Sequence, residues 1–362
     1  MLQGGSFMKV LQVYKDVFPA VNGGIERYIH DLSSFCAEQG HNVEVVTAGG
    51  QGGFSRGFKV SPVPCSLRLL SNPIAPEYRR KIMTTDADVI HFHVPLPAAV
   101  TALLSIPDRA RKPYIVTYHS DIVRQAFLLP LYGPLLKRFL KGAETVVATS
   151  ETYRTTSRFL RELDNTRVIP IGVDTGRFSP CSRPSGDYWL FVGRFRSYKG
   201  IGVLLKAWEL LPETFRLIMA GGGPMADSIR RTASRKNLSI QLMENVSDSQ
   251  LIRLYRNAKA LILPSIHRSE AYGMVQLEAM ACGTPVISSN LATGVSWVNK
   301  SGTTGLSFRT GDPEALAASV KKLETLCEKT LRNAARTRAV DMFSAEKCFR
   351  EVEDCLLKAA GN

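Results

Sequence analysis

Short apolar segments alternate with helical segments along this chain, and the alternation begins a second time after Asp187. Strands of the first half are predicted at 8–14, 41–48, 88–94, 113–119, 144–150 and 167–174. Strands of the second half are predicted at 188–194, 215–221, 239–246, 260–266 and 284–290. Nearly continuous apolar strands separated by helices are typical of parallel sheets covered by helices on both faces. The chain is therefore predicted to form two doubly wound α/β domains.

The boundary between the two domains is predicted after Pro180, because the segment 179–187 is rich in Pro, Ser and Gly. A length of 362 residues fits two domains of ordinary size. The first domain is predicted over 8–180 and the second over 181–342. A terminal helix is predicted over 343–362, and the sequence permits it to cross back to the first domain.

The chain is strongly basic, with 46 Lys and Arg against 32 Asp and Glu and a net charge of +14. Such a balance favours anionic partners, which are nucleic acids, phosphorylated small molecules or an anionic membrane surface. Nucleic acid is disfavoured, because the basic residues are dispersed and no motif interleaves them with aromatic residues.

Cysteine usage and the first residues indicate a cytoplasmic protein. Seven cysteines without a Cys-x-x-Cys pair indicate reduced thiols, and their spacing is not that of a metal site. Residues 1–7 lack the apolar core of a signal peptide and are interpreted as a leader before a start at Met8.

The stretch 264–289 carries the richest chemistry: a strand, a loop with Glu270, then Gly273 and a helix predicted over 274–281. The first turn of a helix presents unpaired backbone N–H groups and the positive end of its dipole, where a phosphate can bind. Glu270 precedes this helix and Glu278 lies about one turn inside it, so one carboxylate can reach a sugar ring and the other a ribose. A charged helix face beside a glycine turn accounts for the same spacing without any function.

Several motifs resemble, in order and spacing, those of the retaining family-4 glycosyltransferases, whose fold is called GT-B. In the second half these are FVGRFRSYKG (191–200), MAGGGP (219–224), ENVSD (244–248), Glu270, Glu278 and GTPVISS (283–289). In the first half they are NGGIERYIHDL (22–32), YHSD (118–121) and VIPIGVD (168–174). The resemblance implies two Rossmann-like domains that face each other across a cleft. It also implies sugar transfer from a nucleotide-sugar donor with retention of configuration and with no metal or other cofactor.

The resemblance assigns roles to residues of the second domain. Arg194 and Lys199 resemble the pair that holds the donor diphosphate, whose growing negative charge needs fixed cations when no metal is present. Glu278 resembles the ribose ligand, and Glu270 resembles the group near the hydroxyls of the transferred sugar. Further donor-binding groups are assigned to the backbone at the start of the helix and to two loops: Gly273, Met274, Val275, Gly222 and Val246.

In the first domain, Gly23 and Gly24 lie in the first strand-to-helix loop, where a backbone without Cβ can approach a phosphate; an ordinary turn is the alternative. This loop is not a Gly-x-Gly-x-x-Gly motif, which disfavours a dehydrogenase. His119 matches the family histidine that faces the donor sugar. His91 and His93 share one face of a strand, but no Cys or carboxylate accompanies them, so no metal site is predicted.

The donor and acceptor are predicted only as classes. The run 268–280 together with 293–299 resembles bacterial enzymes of O-antigen or polysaccharide assembly that use GDP-mannose or related GDP sugars. A UDP sugar stays open as the rival donor, and an epimerase or phosphorylase with the same fold stays open as a remote alternative. A saccharide or lipid-linked saccharide is the expected acceptor.

The segment from Arg124 to Lys141 is apolar and basic, as expected of a surface that contacts an anionic membrane. A domain helix packed against the sheet is the alternative. Pro130 and Pro134 are predicted to confine any helix here to 135–141. The membrane interpretation places the protein peripherally on the inner face of the cytoplasmic membrane.

Overall fold

The computed structural model of the chain describes residues 7–21, 23–69, 72–121, 129–182, 184 and 186–361. The chain divides into two compact units: unit 1 holds the residues up to Ile171 and those from Glu346 onward, and unit 2 holds Gly172–Ala345. The division lies earlier than the boundary predicted after Pro180. Phe178 and Ser179 belong to unit 2 because their carbonyls accept hydrogen bonds from the side chains of Arg336 and Arg256.

The described part of unit 1 is built on an eight-stranded sheet and a separate hairpin. In chain order its strands are β1 (Lys9–Val13), β2 (Asn42–Ala48), β3 (Gly53–Ser55), β4 (Phe58–Val63), β5 (Leu67–Leu69), β6 (Asn72–Ile74), β7 (Val89–Val94), β8 (Tyr114–Tyr118), β9 (Thr145–Ala148) and β10 (Thr166–Val168). The sheet has the order β10-β9-β8-β7-β1-β2-β4-β3, and β5 pairs with β6. Within the sheet only the β3–β4 pair is antiparallel. The carboxyl ends of the parallel strands therefore meet at one edge.

Helices cover this sheet through apolar stripes. In chain order the helices are α1 (Gly24–Glu38), α2 (Glu77–Thr84), α3 (Pro97–Leu104), α4 (Leu129–Lys141) and α5 (Glu151–Thr156). On α1 the stripe contains Tyr28, Ile29, Leu32 and Cys36, all of them buried. Every residue of β7 and of β8 is also buried, as expected for inner strands with helices on both faces.

Several elements of unit 1 differ from the sequence prediction, and strands β3 to β6 are not among the predicted strands. The strand predicted over 167–174 ends at Val168, and Val173 forms a bridge to Ser344 instead. Helix α4 already includes Leu129, although a helix was predicted only over 135–141. Pro130 lies in the first described turn, where helix N–H groups have no intrahelical acceptor, and Pro134 removes a single hydrogen bond. Residues 124–128 of the predicted membrane segment lie outside the described residues.

The described part of unit 2 has a six-stranded parallel sheet in the order β13-β12-β11-β14-β15-β16. Its strands are β11 (Trp189–Val192), β12 (Leu217–Ala220), β13 (Ile240–Met243), β14 (Leu261–Leu263), β15 (Val286–Ser289) and β16 (Gly305–Phe308). The helices that follow α5 are α6 (Ile201–Glu209), α7 (Ala226–Arg235), α8 (Asp248–Asn257), α9 (Met274–Ala281), α10 (Gly294–Val298), α11 (Pro313–Glu324), α12 (Glu328–Phe343) and α13 (Ala345–Ala360). Strand order reverses at β11, so a crevice is expected at the carboxyl ends of β11 and β14.

Helix α13 starts in unit 2, and its residues from Glu346 onward belong to unit 1. There the ring of Phe349 contacts the rings of Tyr28 and Phe35 on α1, at centroid distances of 5.8 and 5.7 Å. Glu353 lies 2.8 Å from Nε2 of His41. Among the described residues, no helix combines the length and the apolar character that a membrane span requires.

A pair of glycines at the start of α6 provides a test of the close packing beside the crevice. Gly200 has φ +73°, and a Cβ there would lie 1.8 Å from the carbonyl oxygen of Pro264, whereas a Cβ on Gly202 would meet no atom within 4 Å. We expect Gly200→Ala to lower the free energy of unfolding by about 2 kcal/mol or more, because strained φ and a backbone clash add together. Gly202→Ala should raise it by about 0.5–1 kcal/mol, since alanine is the better helix former. Calorimetric melting temperatures of the two variants should move in opposite directions, and a shift of the same sign in both would contradict the packing.

Candidate active site

The loops after β11 and β12 are joined backbone to backbone at the carboxyl edge of unit 2. The N–H of Gly193 donates to the carbonyl of Ala220 at 3.0 Å, and the N–H of Phe195 donates to the carbonyl of Gly222 at 2.8 Å. Gly221 has φ +141°, and a Cβ on it would lie 2.1 Å from the carbonyl oxygen of Gly193, so this approach requires glycine. Arg194 lies exposed within the joined loops.

Lys199 and Glu270 form a buried ion pair. Nζ of Lys199 lies 2.6 Å from Oε2 of Glu270, and the two side chains are only 12% and 8% exposed. The hydroxyl of Ser265 donates to the same oxygen at 3.0 Å. The two residues that the resemblance assigned to different parts of the donor are therefore partners of each other. Sequence reasoning missed Ser265, which lies in the stretch 264–289 without any motif role.

The start of α9 provides the expected N–H groups. Gly273 is the N-cap residue of the helix, with φ +72° and ψ +65°, and a glycine has no side chain that could cap it. A Cβ on Gly273 would lie 2.7 Å from Cδ2 of Leu263, so a side chain here would push against β14. The first turn of α9 has no acidic residue, so no carboxylate of that turn offsets the positive end of the helix dipole. Glu270, with its partner Lys199, lies next to this end. The observed helix has the bounds predicted from the sequence.

Glu278 lies about one turn inside α9 and accepts a hydrogen bond from Tyr255 on α8. The distance from the Tyr255 hydroxyl to Oε2 of Glu278 is 2.6 Å. Burial, together with the neighbouring carboxylate, raises the pKa of Tyr255 well above its ordinary value, so the hydroxyl keeps its proton and donates. Sequence reasoning missed Tyr255, because nothing local indicates that this residue faces Glu278.

The loop after β13 contains Val246, which is half-buried just before Ser247 caps α8. Glu244 in the same loop pairs with Arg230. A Cβ on Gly222 would lie 3.6 Å from Oε1 of Glu244, so the loops after β12 and β13 are neighbours. Gly222 and the 244–248 loop thus lie together at the carboxyl edge that also carries Lys199 and Glu270.

In unit 1, Gly23 and Gly24 stand at the start of α1, as predicted. Gly23 has φ −137°, which any residue adopts, so its conformation does not require glycine. A Cβ on Gly23 would lie 2.1 Å from Oε2 of Glu26, because the buried Glu26 side chain turns back over the start of the helix. The group next to Gly23 at this positive helix end is therefore a carboxylate of the chain itself.

His119 follows the last residue of β8 and is buried with His91 and His93 of β7. Its Nε2 lies 3.1 Å from Nδ1 of His93, and the ring of Tyr28 packs edge-on against it. Burial lowers the pKa of His119 to about 3 and that of His91 to about 3, so both rings are neutral at physiological pH. Within the described ranges, no group of three His, Cys, Asp or Glu residues has the arrangement of a metal site.

Two family models cover nearly the whole chain. Residues 22–177 match the model described as Glycosyltransferase Family 4, and residues 176–339 match the model described as Glycosyl transferases group 1. The chain is 34% identical over 364 residues to the O-antigen chain mannosyltransferase C of Escherichia coli, covering 94% of this chain and 95% of the relative. The chain belongs to the family-4, group 1 glycosyltransferases. It is also 32% identical over 334 residues to the D-rhamnosyltransferase WbpZ of Pseudomonas aeruginosa, covering 87% of this chain and 86% of that one.

Solved structures of similar fold agree with the GT-B prediction for this glycosyltransferase. A sucrose-phosphate synthase from Thermosynechococcus elongatus superimposes with a TM-score of 0.79 at 21% identity, covering 96% of this chain and 98% of that one. The Anabaena protein HepE, solved with UDP and glucose, superimposes with a TM-score of 0.77 at 18% identity, covering 97% and 100%. The predicted fold class, two Rossmann-like units of the GT-B type, is confirmed.

The buried pair of Lys199 and Glu270 leads to a stability prediction. Removing one charge of a buried pair leaves the other uncompensated, so Lys199→Met and Glu270→Gln should each lower the free energy of unfolding by about 3 kcal/mol. The double variant should lose less than the sum of the two, with a coupling energy of about 2 kcal/mol in urea unfolding.

The matched control for this cycle is the more exposed pair of Lys236 and Glu209 in the same unit, whose ions lie 3.3 Å apart and are 47% and 32% exposed. Its cycle should give a coupling below about 1 kcal/mol, because solvent screens exposed pairs. Equal coupling in both cycles would show that burial does not strengthen the Lys199–Glu270 pair.

Proposed function

We propose that this glycosyltransferase moves a hexosyl unit from a nucleotide sugar to a saccharide or lipid-linked saccharide in the assembly of cell-surface polysaccharide. The observation that carries the proposal is the ion pair of Lys199 and Glu270 beside the start of α9, with Glu278 about one turn further along the same helix. The two relatives with about one third identity, an O-antigen mannosyltransferase and a D-rhamnosyltransferase, support the substrate class.

In the proposed complex, the donor diphosphate lies at the start of α9, between the two glutamates. The N–H groups of Met274 and Val275 and the positive end of the helix dipole would bind its oxygens. Lys199 and the exposed Arg194 would neutralise the charge that grows on the leaving diphosphate, so no metal or other cofactor is proposed. Glu278 would accept hydrogen bonds from the ribose hydroxyls.

A GDP sugar, with mannose as the transferred unit, is the donor that we propose. Support comes from the relative named as a mannosyltransferase and from the resemblance of 268–280 and 293–299 to enzymes that use GDP sugars. A UDP sugar is the second candidate, since the Anabaena neighbour was solved with UDP and glucose. An epimerase or phosphorylase reaction is the remaining alternative, and it would give no transfer to a saccharide.

We propose that the reaction retains the anomeric configuration, through attack by the acceptor on the face from which the diphosphate leaves. The diphosphate would take the acceptor proton as the new glycosidic bond forms. The pairing of Glu270 with Lys199 and Ser265 supports this route, because a carboxylate oxygen held by two donors is a poor covalent nucleophile. The chain then contributes positioning and charge stabilisation, which are large terms in enzymatic catalysis.

The donor assignment is tested by thermal shift of the full chain with GDP, UDP and ADP and their sugars. We expect the strongest stabilisation from GDP and GDP-mannose, because a ligand bound only by the native state raises its melting temperature. Sugar transfer should persist in EDTA, and NMR of the product should show a retained anomeric configuration. Stabilisation by UDP alone would select the second candidate, and sugar release without transfer would reject the transferase proposal.

The role of Glu278 is tested by Glu278→Ala and Tyr255→Phe, with GDP binding measured by calorimetry. Glu278→Ala should weaken GDP binding about ten-fold or more, because a hydrogen bond to a charged group contributes about 1.5–3 kcal/mol. Tyr255→Phe should weaken it less, since the carboxylate stays while its orientation loosens. A 2′,3′-dideoxy nucleotide should bind the wild type and both variants equally. Unchanged GDP binding in Glu278→Ala would remove the ribose role.

We propose a peripheral location at the cytoplasmic membrane, through α4. On this helix Leu131 is 82% exposed and Leu135 is 40% exposed, although Leu136, Phe139 and Leu140 pack inward. Its last turn carries Arg138 and Lys141, and cationic residues beside exposed leucines suit an anionic bilayer.

The membrane proposal is tested by flotation with vesicles that contain phosphatidylglycerol. The Leu131→Glu/Leu135→Glu variant should lower the bound fraction about ten-fold, because both apolar contact and charge attraction weaken. The control is Leu210→Glu, which changes an exposed leucine of unit 2 and should float like the wild type. Equal flotation of all three proteins would reject α4 as the contact.

A further inference from the structure

A chain of hydrogen bonds runs through the buried interior of unit 1 and ends at His119. Gln12 on β1 places its Oε1 2.8 Å from Nε2 of His93, and Nδ1 of His93 lies 3.1 Å from Nε2 of His119. The side chains of Gln12, His93 and His119 are all buried, and the two imidazoles stack with centroids 5.3 Å apart. Sequence reasoning assigned no role to Gln12 or His93.

The direction of the two hydrogen bonds, Gln12–His93 and His93–His119, determines which ring nitrogens carry a proton. A carbonyl oxygen can only accept, so Nε2 of His93 must carry a proton. A neutral imidazole has one N–H, which leaves Nδ1 of His93 as an acceptor. The Nε2 of His119 must then donate, and Nδ1 of His119 carries a lone pair.

This assignment requires both imidazole rings to be neutral, and burial keeps them neutral. Removal from water lowers the pKa of His119 to about 3. Burial, together with the two neighbouring histidines, lowers the pKa of His93 well below its ordinary value. Neither ring holds a second proton at neutral pH, so the tautomer of one ring determines that of the other.

The Nδ1 of His119 is buried and has no hydrogen-bond partner among the described residues. A buried acceptor without a partner costs about 1–3 kcal/mol. His119 also follows the last residue of β8, at the carboxyl edge where ligands bind in doubly wound sheets. A hydroxyl group of a ligand would satisfy this nitrogen.

We propose that Gln12 and His93 are positioning residues that hold His119 in its Nε2–H tautomer, so that Nδ1 accepts a hydrogen bond from a hydroxyl of the bound sugar. The sugar as ligand rests on the proposed function, whereas the tautomer does not. Because Nε2–H of His119 is used by His93, His119 can only accept a hydrogen bond from a ligand. A ligand must therefore present an O–H group to it, and a carbonyl or ether oxygen in that place would find no donor.

His91 provides a control within the same cluster. Its Nε2 lies 2.7 Å from the hydroxyl of Thr117, and it has no hydrogen bond to Gln12 or His119 among those of the described residues. Thr117→Val removes the partner of His91 and leaves both hydrogen bonds of the Gln12–His93–His119 chain in place.

The tautomers are read directly by long-range proton–nitrogen NMR of the full chain labelled with 15N-histidine, without any ligand. The sequence has six histidines, and His119→Asn identifies the signals of His119 by their loss. We expect Nε2 of His119 to be protonated and Nδ1 to be unprotonated in the wild type. A protonated Nδ1 would overturn the proposal, because the Gln12 amide N–H would then donate and both hydrogen bonds, Gln12–His93 and His93–His119, would be reversed.

The positioning role is tested by Gln12→Met beside Thr117→Val. Gln12→Met removes the acceptor, so His93 and His119 should populate both tautomers, whereas Thr117→Val should leave the signals of His119 unchanged. With GDP-mannose or the donor selected by thermal shift, Gln12→Met should lower kcat/KM about three- to ten-fold, because only part of the population carries the accepting tautomer. An unchanged tautomer and an unchanged kcat/KM in Gln12→Met would each overturn the positioning role.

Failure of the proposed function has a different signature. If neither His119→Asn nor Glu278→Ala changes donor binding or transfer, the sugar-nucleotide assignment fails while the tautomer order in the free protein stands. If both variants lose activity but the His119 tautomer is mixed in the wild type, the glycosyltransferase assignment stands and the positioning inference fails.

Discussion

The parallel pairing of β11 with β14 is the constraint on which the site in unit 2 depends. Because Leu190 pairs with Leu261 in register, the two strands end at the same edge and their loops leave side by side. The loops then bind each other through the N–H of Ile266, which donates to the carbonyl of Tyr198 at 2.9 Å. This contact brings Lys199 to Glu270, so a buried ion pair forms between residues that are far apart in the chain.

The positive charge of the chain is used in more ways than composition indicates. Three arginines of α12 donate to backbone carbonyls at the ends of helices: Arg332 to Ala258 after α8, Arg336 to Ala281 at the end of α9, and Arg338 to Val298 at the end of α10. A guanidinium at the negative end of a helix is stabilising and satisfies carbonyls that have no intrahelical partner. Helix α9 thus has a cation at its C-terminus and the candidate phosphate site at its N-terminus.

Two buried polar clusters of the chain are balanced in different ways. Lys199 and Glu270 of unit 2 neutralise each other as an ion pair. In the histidine cluster of unit 1, burial lowers the pKa values of His91 and His119, so these rings stay neutral. In such surroundings the direction of each hydrogen bond, rather than charge, determines what a side chain can accept. His119 is one example, because its tautomer depends on a glutamine two strands away in the sheet order β8-β7-β1.

Residue type and local pattern were enough to predict the alternation of strands and helices, the bounds of α9, and the family motifs that identify Arg194, Lys199, Glu270 and Glu278 as candidates. These features are local, since they depend on residue type and on periodicities of two or about four residues. Strands β3 (GFS) and β16 (GLSF) contain Gly and Ser beside their apolar residues, so no apolar run indicates them. The prolines of α4 were misread as helix breaks because tertiary packing holds that helix. The folded chain is needed to show that Lys199 pairs with Glu270, that Tyr255 donates to Glu278, and that Gln12 is linked to His119 through His93. Each of these contacts joins strands or helices that are distant in the chain, and strand order, which no local pattern encodes, brings them together.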